Sequence, residues 1–308
     1  MAYGMKRNEN INGFLMITPL VLGILIFTAL PIVLSVYYSF TDFNNITPPN
    51  FFFFENGRLD LFHQYAKAFK DPTFLNSMKV TFKYTLISCT LSLVLSFLLA
   101  LLLNVKMRGQ KVFRLLIYLP CIVPAVATAA IWQDMFNPTH IGIINRILNV
   151  VGIAPQKWFY SKDTAFNSMI MLSMWGIGGG MLVWISGFKS IPQSYYEAAE
   201  LDGANKLKKL IFITLPMMSP IIFYNLIMSV IGSLQSFGSA YLLTGGGPFE
   251  STNFVALNIY QTGIGRFNMG YACAQAWILF AVILILTAIL FKTSGWVYYG
   301  DGDGKKAK

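Results

Sequence analysis

The sequence predicts an all-α integral membrane protein of six transmembrane helices, and three observations predict it. Hydrophobic residues make up 55% of the 308-residue chain and charged residues 12%, about half the roughly 25% charge of a soluble domain. Apolar runs recur at lengths that cross ~30 Å of hydrocarbon as helices of about 20 residues. Lys and Arg fall between those runs, dense in some connections and sparse in others, which is the signature of membrane topology.

Taken in order, the runs place spans at residues 14–40, 81–103, 113–136, 165–188, 214–237 and 272–291. They form one transmembrane domain over 13–291, with flanks 1–12 and 292–308. The first run follows a basic patch, as a signal peptide would, but it continues to Phe40 without a small-residue cleavage site, so it reads as a span. Lys79 and Lys83 stand at the outer start of the second span and Asp134 near the outer end of the third, where long side chains reach the interface. Pro19, Pro31, Pro120, Pro124, Pro216 and Pro220 lie in or beside spans and each removes a helix hydrogen bond. In the fourth, Gly176 and Gly180 have the spacing that lets membrane helices approach closely.

Charge sets the orientation. With the N-terminus in the cytoplasm, the inner segments carry Lys6 and Arg7, then Lys106, Arg108, Lys111 and Arg114, then Lys189, Lys206, Lys208 and Lys209, then Lys292, Lys305, Lys306 and Lys308. The longer outer segments carry fewer cations. The excess of Lys and Arg belongs inside, so both termini are expected in the cytoplasm. A net charge of +10 does not read as nucleic-acid binding, because its cations are scattered between apolar runs and not gathered on one soluble face.

Catalytic and metal chemistry find no residues. His63 and His140 lie singly in outer loops, and Cys89, Cys121 and Cys273 each stand alone as small hydrophobes, with no CxxC. No Ser-His, paired Asp or zinc set lies within the spans, which excludes an intramembrane enzyme. Midplane charges are missing too, which argues against an ion-coupled secondary transporter. The third outer loop, LLTGGGPFEST, has three glycines but no Lys-Ser or Lys-Thr at the phosphate-loop spacing, so this chain encodes no nucleotide site. Gly245, Gly246, Gly247 and Pro248 read instead as a tight turn where another backbone approaches.

The insert 189–213 is the polar exception. Ser190 or Ser194 is placed to cap a helix through Tyr195, Tyr196, Glu197, Ala198, Ala199, Glu200 and Leu201, and Asp202-Gly203 stops it. Chain resumes helical at the lysines and enters the fifth span beyond Pro216. Two alanines leave one face bare for close backbone contact, flanked by apolar anchors and acids. A helix bedded on anionic lipid would be basic, and this one is acidic. The insert therefore fits a protein groove.

The stretch YYEAAELDGANKLKKLIFITLP resembles the EAA motif of the membrane subunits of bacterial ABC importers, with Glu197, Ala198, Ala199, Asp202, Gly203, Ala204, Leu215 and Pro216 at matching positions. YYSFTDFN, LPCIVPAVATAAIW, TGGGPFEST and GYACAQA extend the likeness along the chain to carbohydrate-type permeases of the maltose and glycerol-3-phosphate kind. The resemblance implies a type I ABC importer permease fold in the bacterial inner membrane. It implies a coupling helix, Tyr195 to Gly203, docked on a cytoplasmic ATPase, with two ATPase copies that bind ATP and Mg, a second homologous permease, and an extracytoplasmic solute-binding protein docked near Gly245 to Pro248. The chain itself would be catalytically inert.

A sugar at the membrane midplane needs hydroxyl partners and an aromatic face. By depth, Trp175 and Gly176, then Asn225, Ser229, Ser233 and Gln235, then Gln275 are the candidates; Ser229 and Ser233 share a helix face. Each of these polar residues is equally suited to bonding between helices. Glycerol-3-phosphate is the alternative cargo, but a phosphate favours Arg or Lys in the path, and none is evident.

Overall fold

The computed structural model describes residues 14–52, 57–105 and 107–298. The expected N-terminal segment with Lys6 and Arg7, the cation Lys106 and residues 299–308 of the tail lie outside the described residues. Helices run, in chain order, as α1 (Phe14–Ser39), α2 (His63–Lys70), α3 (Pro72–Asn104), α4 (Gln110–Ile122), α5 (Ala125–Met135) and α6 (Ile143–Val150). They continue as α7 (Lys162–Trp175), α8 (Gly178–Ser190), α9 (Gln193–Leu201), α10 (Lys206–Lys209), α11 (Ser219–Leu234), α12 (Gly238–Leu243), α13 (Val255–Tyr260) and α14 (Met269–Lys292). Extended pairing among the described residues is limited to one isolated bridge, Thr41 to Phe51.

Among the described residues, four helical stretches are long and apolar enough to cross a membrane: α1, α3, the Ser219–Leu243 stretch and α14. The other two expected spans are broken. The chain bends by 100° between α4 and α5 and by 44° between α7 and α8, so the count is six when each bent pair is taken as one span. The sharper break has a local cause. Proline disfavours the helical conformation in the residue before it, and Val123, ahead of Pro124, is extended at φ −66° and ψ 128°. Pro124 then stands at the N-cap of α5. At the second break Cys121 takes part: its Sγ donates to the Gly176 carbonyl at 3.2 Å and accepts from the Gly179 N–H at 3.1 Å. The thiol expected to act as a small hydrophobe thus satisfies backbone groups freed by the bend.

The described residues pack as two compact units, those within 1–71 with 259–279 and those within 72–258 with 280–308. In the first, Gly270 lies against the backbone that leaves α1. A Cβ there would stand 2.3 Å from the Thr41 carbonyl oxygen, and the Gly270 N–H donates to the Phe43 carbonyl at 2.8 Å. Gln64 caps the same corner, its Nε2 donating to the Thr41 carbonyl at 2.9 Å. Tyr271 donates to Asp71 at 2.7 Å while Lys67 lies over its ring. The aromatic loop after α1 is folded onto itself here, with Phe52 stacked on His63 and Tyr38 on Phe43.

In the second unit α3 packs along α8 and α11. One core cluster holds Tyr84, Trp132, Phe136, Met169 and Phe254; another holds Ala100, Met181, Trp184, Phe188 and Met218. The tightest approach is at Gly178, where a Cβ would come within 2.2 Å of the Ile117 carbonyl oxygen on α4. Of the glycine pair expected to mediate packing, Gly180 contacts Ser96, whereas Gly176 faces open space. Outside the spans, fully buried Asn145 on α6 knots a loop: its Nδ2 donates to the carbonyls of Asn137, Thr139 and Gln156, and its Oδ1 accepts from Gln156 N–H and Trp158 Nε1.

Candidate functional site

Three features of the second unit carry the candidate residues. The first is a cavity of about 240 Å³ among α3, α7 and α11, lined by Tyr84, Ser88, Ser92, Ser173, Ser229 and Ser233 together with Cys89, Gly232 and Ser236. It arises because polar residues recur on one face of each helix. On α3 Thr81, Ser88, Ser92 and Ser96 follow at seven, four and four residues, and on α11 Ser229 and Ser233 are four apart, so each set shares a side. Ser88 Oγ reaches Ser233 Oγ at 3.5 Å, and among the described residues the lining contains hydroxyls, a thiol and no charge.

A second cavity of about 210 Å³ shares Tyr84 and Ser173 with the first and adds Thr128, Trp175, Gly176 and Ser239. Trp175 meets Trp132 edge to face, centroids 5.9 Å apart. Together the two cavities offer hydroxyls beside an aromatic ring, the pairing a sugar requires.

The structure thus brings together Trp175, Gly176, Ser229 and Ser233 of the expected pathway set. Asn225 is elsewhere occupied: it is buried, and its Nδ2 donates to the Ile221 carbonyl one turn back at 2.9 Å. Gln235 caps the end of α11 and is exposed. Gln275 lies on α14 in the first unit and is fully buried. Tyr84, Ser88, Ser92, Ser173 and Ser236 were missed by depth alone, although the serine stripe on α3 was visible as a 3.6-residue repeat.

The second feature is α9, which has no buried residue. Its end is a full Schellman motif. Ala204 N–H donates to the Ala199 carbonyl at 2.8 Å and Gly203 N–H to the Glu200 carbonyl at 3.0 Å, with Gly203 left-handed at φ +75°. The expected serine cap at its start is not made. Pro192 occupies the N-cap without a side-chain bond, and Ser190 Oγ instead donates to the Gly187 carbonyl, closing α8. Asn205 caps α10 by accepting from Lys208 N–H at 2.8 Å.

Tyr195 and Leu201 are 47% and 91% exposed, with Glu197, Ala198, Asp202 and Gly203 open beside them. Tyr196 turns inward, its hydroxyl 2.9 Å from Thr214 Oγ1, and Glu200 pairs with Lys209. Tyr196 and Glu200 therefore tie the short helix to the segment entering the fifth span, while the other side chains remain free.

The third feature is the glycine loop after α12. Gly245 and Gly246 are left-handed at φ +58° and +92°, and the Gly247-Pro248 bond is cis. Thr244 and Thr252 share a hydrogen bond at 2.7 Å, and Thr252 Oγ1 also donates to the Gly247 carbonyl. Phe249 projects 84% exposed, and Glu250 accepts from Thr73 and Asn76 on α3.

Comparison with known proteins places this geometry among transporters. Residues 92–299 match the family of binding-protein-dependent transport system inner membrane components. The chain is 38% identical over 299 residues to the probable ABC transporter permease protein YesP of Bacillus subtilis, covering 95% of this chain and 94% of that protein. It is 31% identical to the trehalose/maltose transport system permease protein MalF of Thermococcus litoralis, covering 94% and 95%. The arabinooligosaccharides transport system permease protein AraP of Bacillus subtilis is 30% identical, covering 94% and 90%. In structure, a chain of the bacterial ABC transporter that imports the acidic polysaccharide alginate superposes with a TM-score of 0.81 at 22% identity, covering 96% of this chain and 98% of that one. The fold is that of an ABC importer permease.

Proposed function

Since the chain belongs to the family of binding-protein-dependent transport system inner membrane components, we propose that it is the first permease of an ATP-driven importer for a neutral sugar or oligosaccharide. The observation that carries the cargo is the uncharged hydroxyl cavity of Ser88, Ser92, Ser173, Ser229 and Ser233 beside Tyr84, continued by the Trp175 cavity. Neutral hydroxyls exchange hydrogen bonds with sugar hydroxyls without the desolvation of a buried charge. A phosphate or carboxylate cargo would want Arg or Lys, and neither cavity has one in its lining. The names of the relatives from Thermococcus litoralis and Bacillus subtilis, trehalose/maltose and arabinooligosaccharides permeases, support the same class.

In this reading a second permease of similar fold closes the path, two cytoplasmic ATPases hydrolyse Mg-ATP, and a solute-binding protein delivers the sugar from outside. The α9 surface of Tyr195, Glu197, Ala198, Ala199, Asp202 and Gly203 seats in the ATPase, and its rigid link through Tyr196 and Glu200 carries ATPase closure into the fifth span. The loop from Gly245 to Pro248, with Phe249 at its tip, meets the binding protein. Both termini face the cytoplasm of a bacterial cell, as the distribution of Lys and Arg favours.

The test is reconstitution. The chain, its second permease and its ATPase, assembled in proteoliposomes, should hydrolyse ATP faster when the sugar-loaded binding protein is added, and the chain alone should hydrolyse none. ATP hydrolysis by the isolated chain, or stimulation by glycerol-3-phosphate and by no neutral sugar, would overturn the assignment.

A further inference from the structure

Behind α9, on the side away from its free face, lies a separate cavity of about 670 Å³ whose lining includes Asn104, Gln110, Arg114, Lys189, Gln193 and Tyr196. Among the described residues, two cations and no Asp or Glu line it. Arg114 donates through Nη2 to the Leu103 carbonyl at 2.8 Å, and Gln110 donates to the same carbonyl at 2.6 Å, so the end of α3 is capped. Arg114 Nε is buried and has no hydrogen-bond partner among the described residues. Lys189, at the end of α8, is exposed beside it.

We infer that this cavity binds the phosphate of an anionic phospholipid headgroup. Guanidinium is the side chain best matched to phosphate oxygens, and Arg114 and Lys189 both line this cavity. The lipid source follows from the flank of α4. Val112, Phe113, Leu115 and Leu116, which neighbour Arg114, are 51–59% exposed, an apolar surface fit for acyl chains beside a basic pocket at headgroup depth. The bound phosphate links α4 to Gln193 and Tyr196 in the first turns of α9, so lipid charge would stiffen the base on which the coupling surface stands. The inference rests on the proposed orientation only in assigning the inner leaflet.

The experiment uses the assembled importer in phosphatidylcholine nanodiscs with and without phosphatidylglycerol, released and weighed by native mass spectrometry. Wild type should retain phosphatidylglycerol in preference to phosphatidylcholine. Arg114→Gln and Lys189→Gln should each lower that preference about fivefold, the equivalent of ~1 kcal/mol per cation near a membrane surface. Because Arg114 also caps α3, Lys189→Gln keeps the inference falsifiable if the first variant does not assemble. Lys292→Gln, an exposed cation at the end of α14, should match wild type. Equal retention of both lipids, no change in Lys189→Gln, or an equal loss in Lys292→Gln would each overturn the site. Displacement of the lipid by millimolar inorganic phosphate would overturn the lipid assignment. Lipid retention is read without transport, so its failure leaves the importer assignment standing, and failure of transport leaves the lipid count interpretable.

Discussion

Gly203 is where backbone conformation alone can be tested against function. It closes α9 at φ +75°, and a Cβ built there meets nothing within 4 Å. Gly203→Ala therefore introduces no clash inside the chain, and the whole intrinsic penalty is the left-handed conformation, about 1–2 kcal/mol. If the Schellman corner must be formed for the coupling surface to dock, the docking-competent population falls by a factor of roughly 5 to 30. Asn tolerates the left-handed region far better than Ala or Val, so the expected order of function is Gly, Asn, Ala, Val. The assay is binding-protein-stimulated ATPase activity of the reconstituted importer, with the amount of each variant in the membrane measured alongside. Ala and Val variants indistinguishable from wild type would refute the conformational argument. Asn failing as badly as Val would replace it with a direct clash in the partner cleft, because only an outside atom can meet a side chain that finds open space within the chain.

Other perturbations bear on the fold and the pathway. Gly178→Ala puts a Cβ 2.2 Å from the Ile117 carbonyl; the helices must separate by about 1 Å at a cost of ~1–3 kcal/mol, read as a lower melting temperature in detergent. Asn145→Leu removes both ends of the knot that holds Asn137, Thr139, Gln156 and Trp158. Buried groups left unpaired cost about 1–3 kcal/mol each, so limited proteolysis should cut between α5 and α7 faster than in wild type, with the spans retained. Ser88→Val combined with Ser233→Val should reduce sugar uptake about tenfold or more by removing two hydroxyls from the cavity, each hydrogen bond being worth ~0.5–1.5 kcal/mol; unchanged uptake would remove this cavity from the path. Cys121→Ser should retain the bridge between Gly176 and Gly179, whereas Cys121→Val should lose it and lower thermal stability by about 1 kcal/mol.

How much of this was legible in the sequence differs by element. The apolar runs announced α1, α3, the fifth span and α14, because hydrocarbon imposes a length and a hydropathy that no packing detail alters. The α9 corner was legible for the same kind of reason: Asp-Gly after a short helical run has few conformations open to it, and the structure forms the expected stop at Gly203. The start of α9 was misread, since Ser190 and Ser194 have the chemistry of a cap but Ser190 is consumed by its own helix at Gly187, a choice between two nearby carbonyl and amide partners that local pattern does not decide. Pro124 marked the third span for a kink, and the 100° turn falls where that proline holds Val123 extended.

The sequence by itself determined that the chain is a membrane protein of apolar helices, where its cations fall, and that its polar insert is a short helix with a glycine corner. These are consequences of solvent and of local backbone chemistry, which act on neighbours in the chain. Only the tertiary structure decided which polar residues share a cavity. It drew Ser88 and Ser92 on α3 together with Ser173 on α7 and Ser229 and Ser233 on α11, while turning Asn225 onto its own helix and burying Gln275 elsewhere. Depth in the membrane is written along one helix, but facing is a relation between helices, fixed by contacts such as Gly178 on Ile117 and Ser96 on Trp184 that lie far apart in the chain.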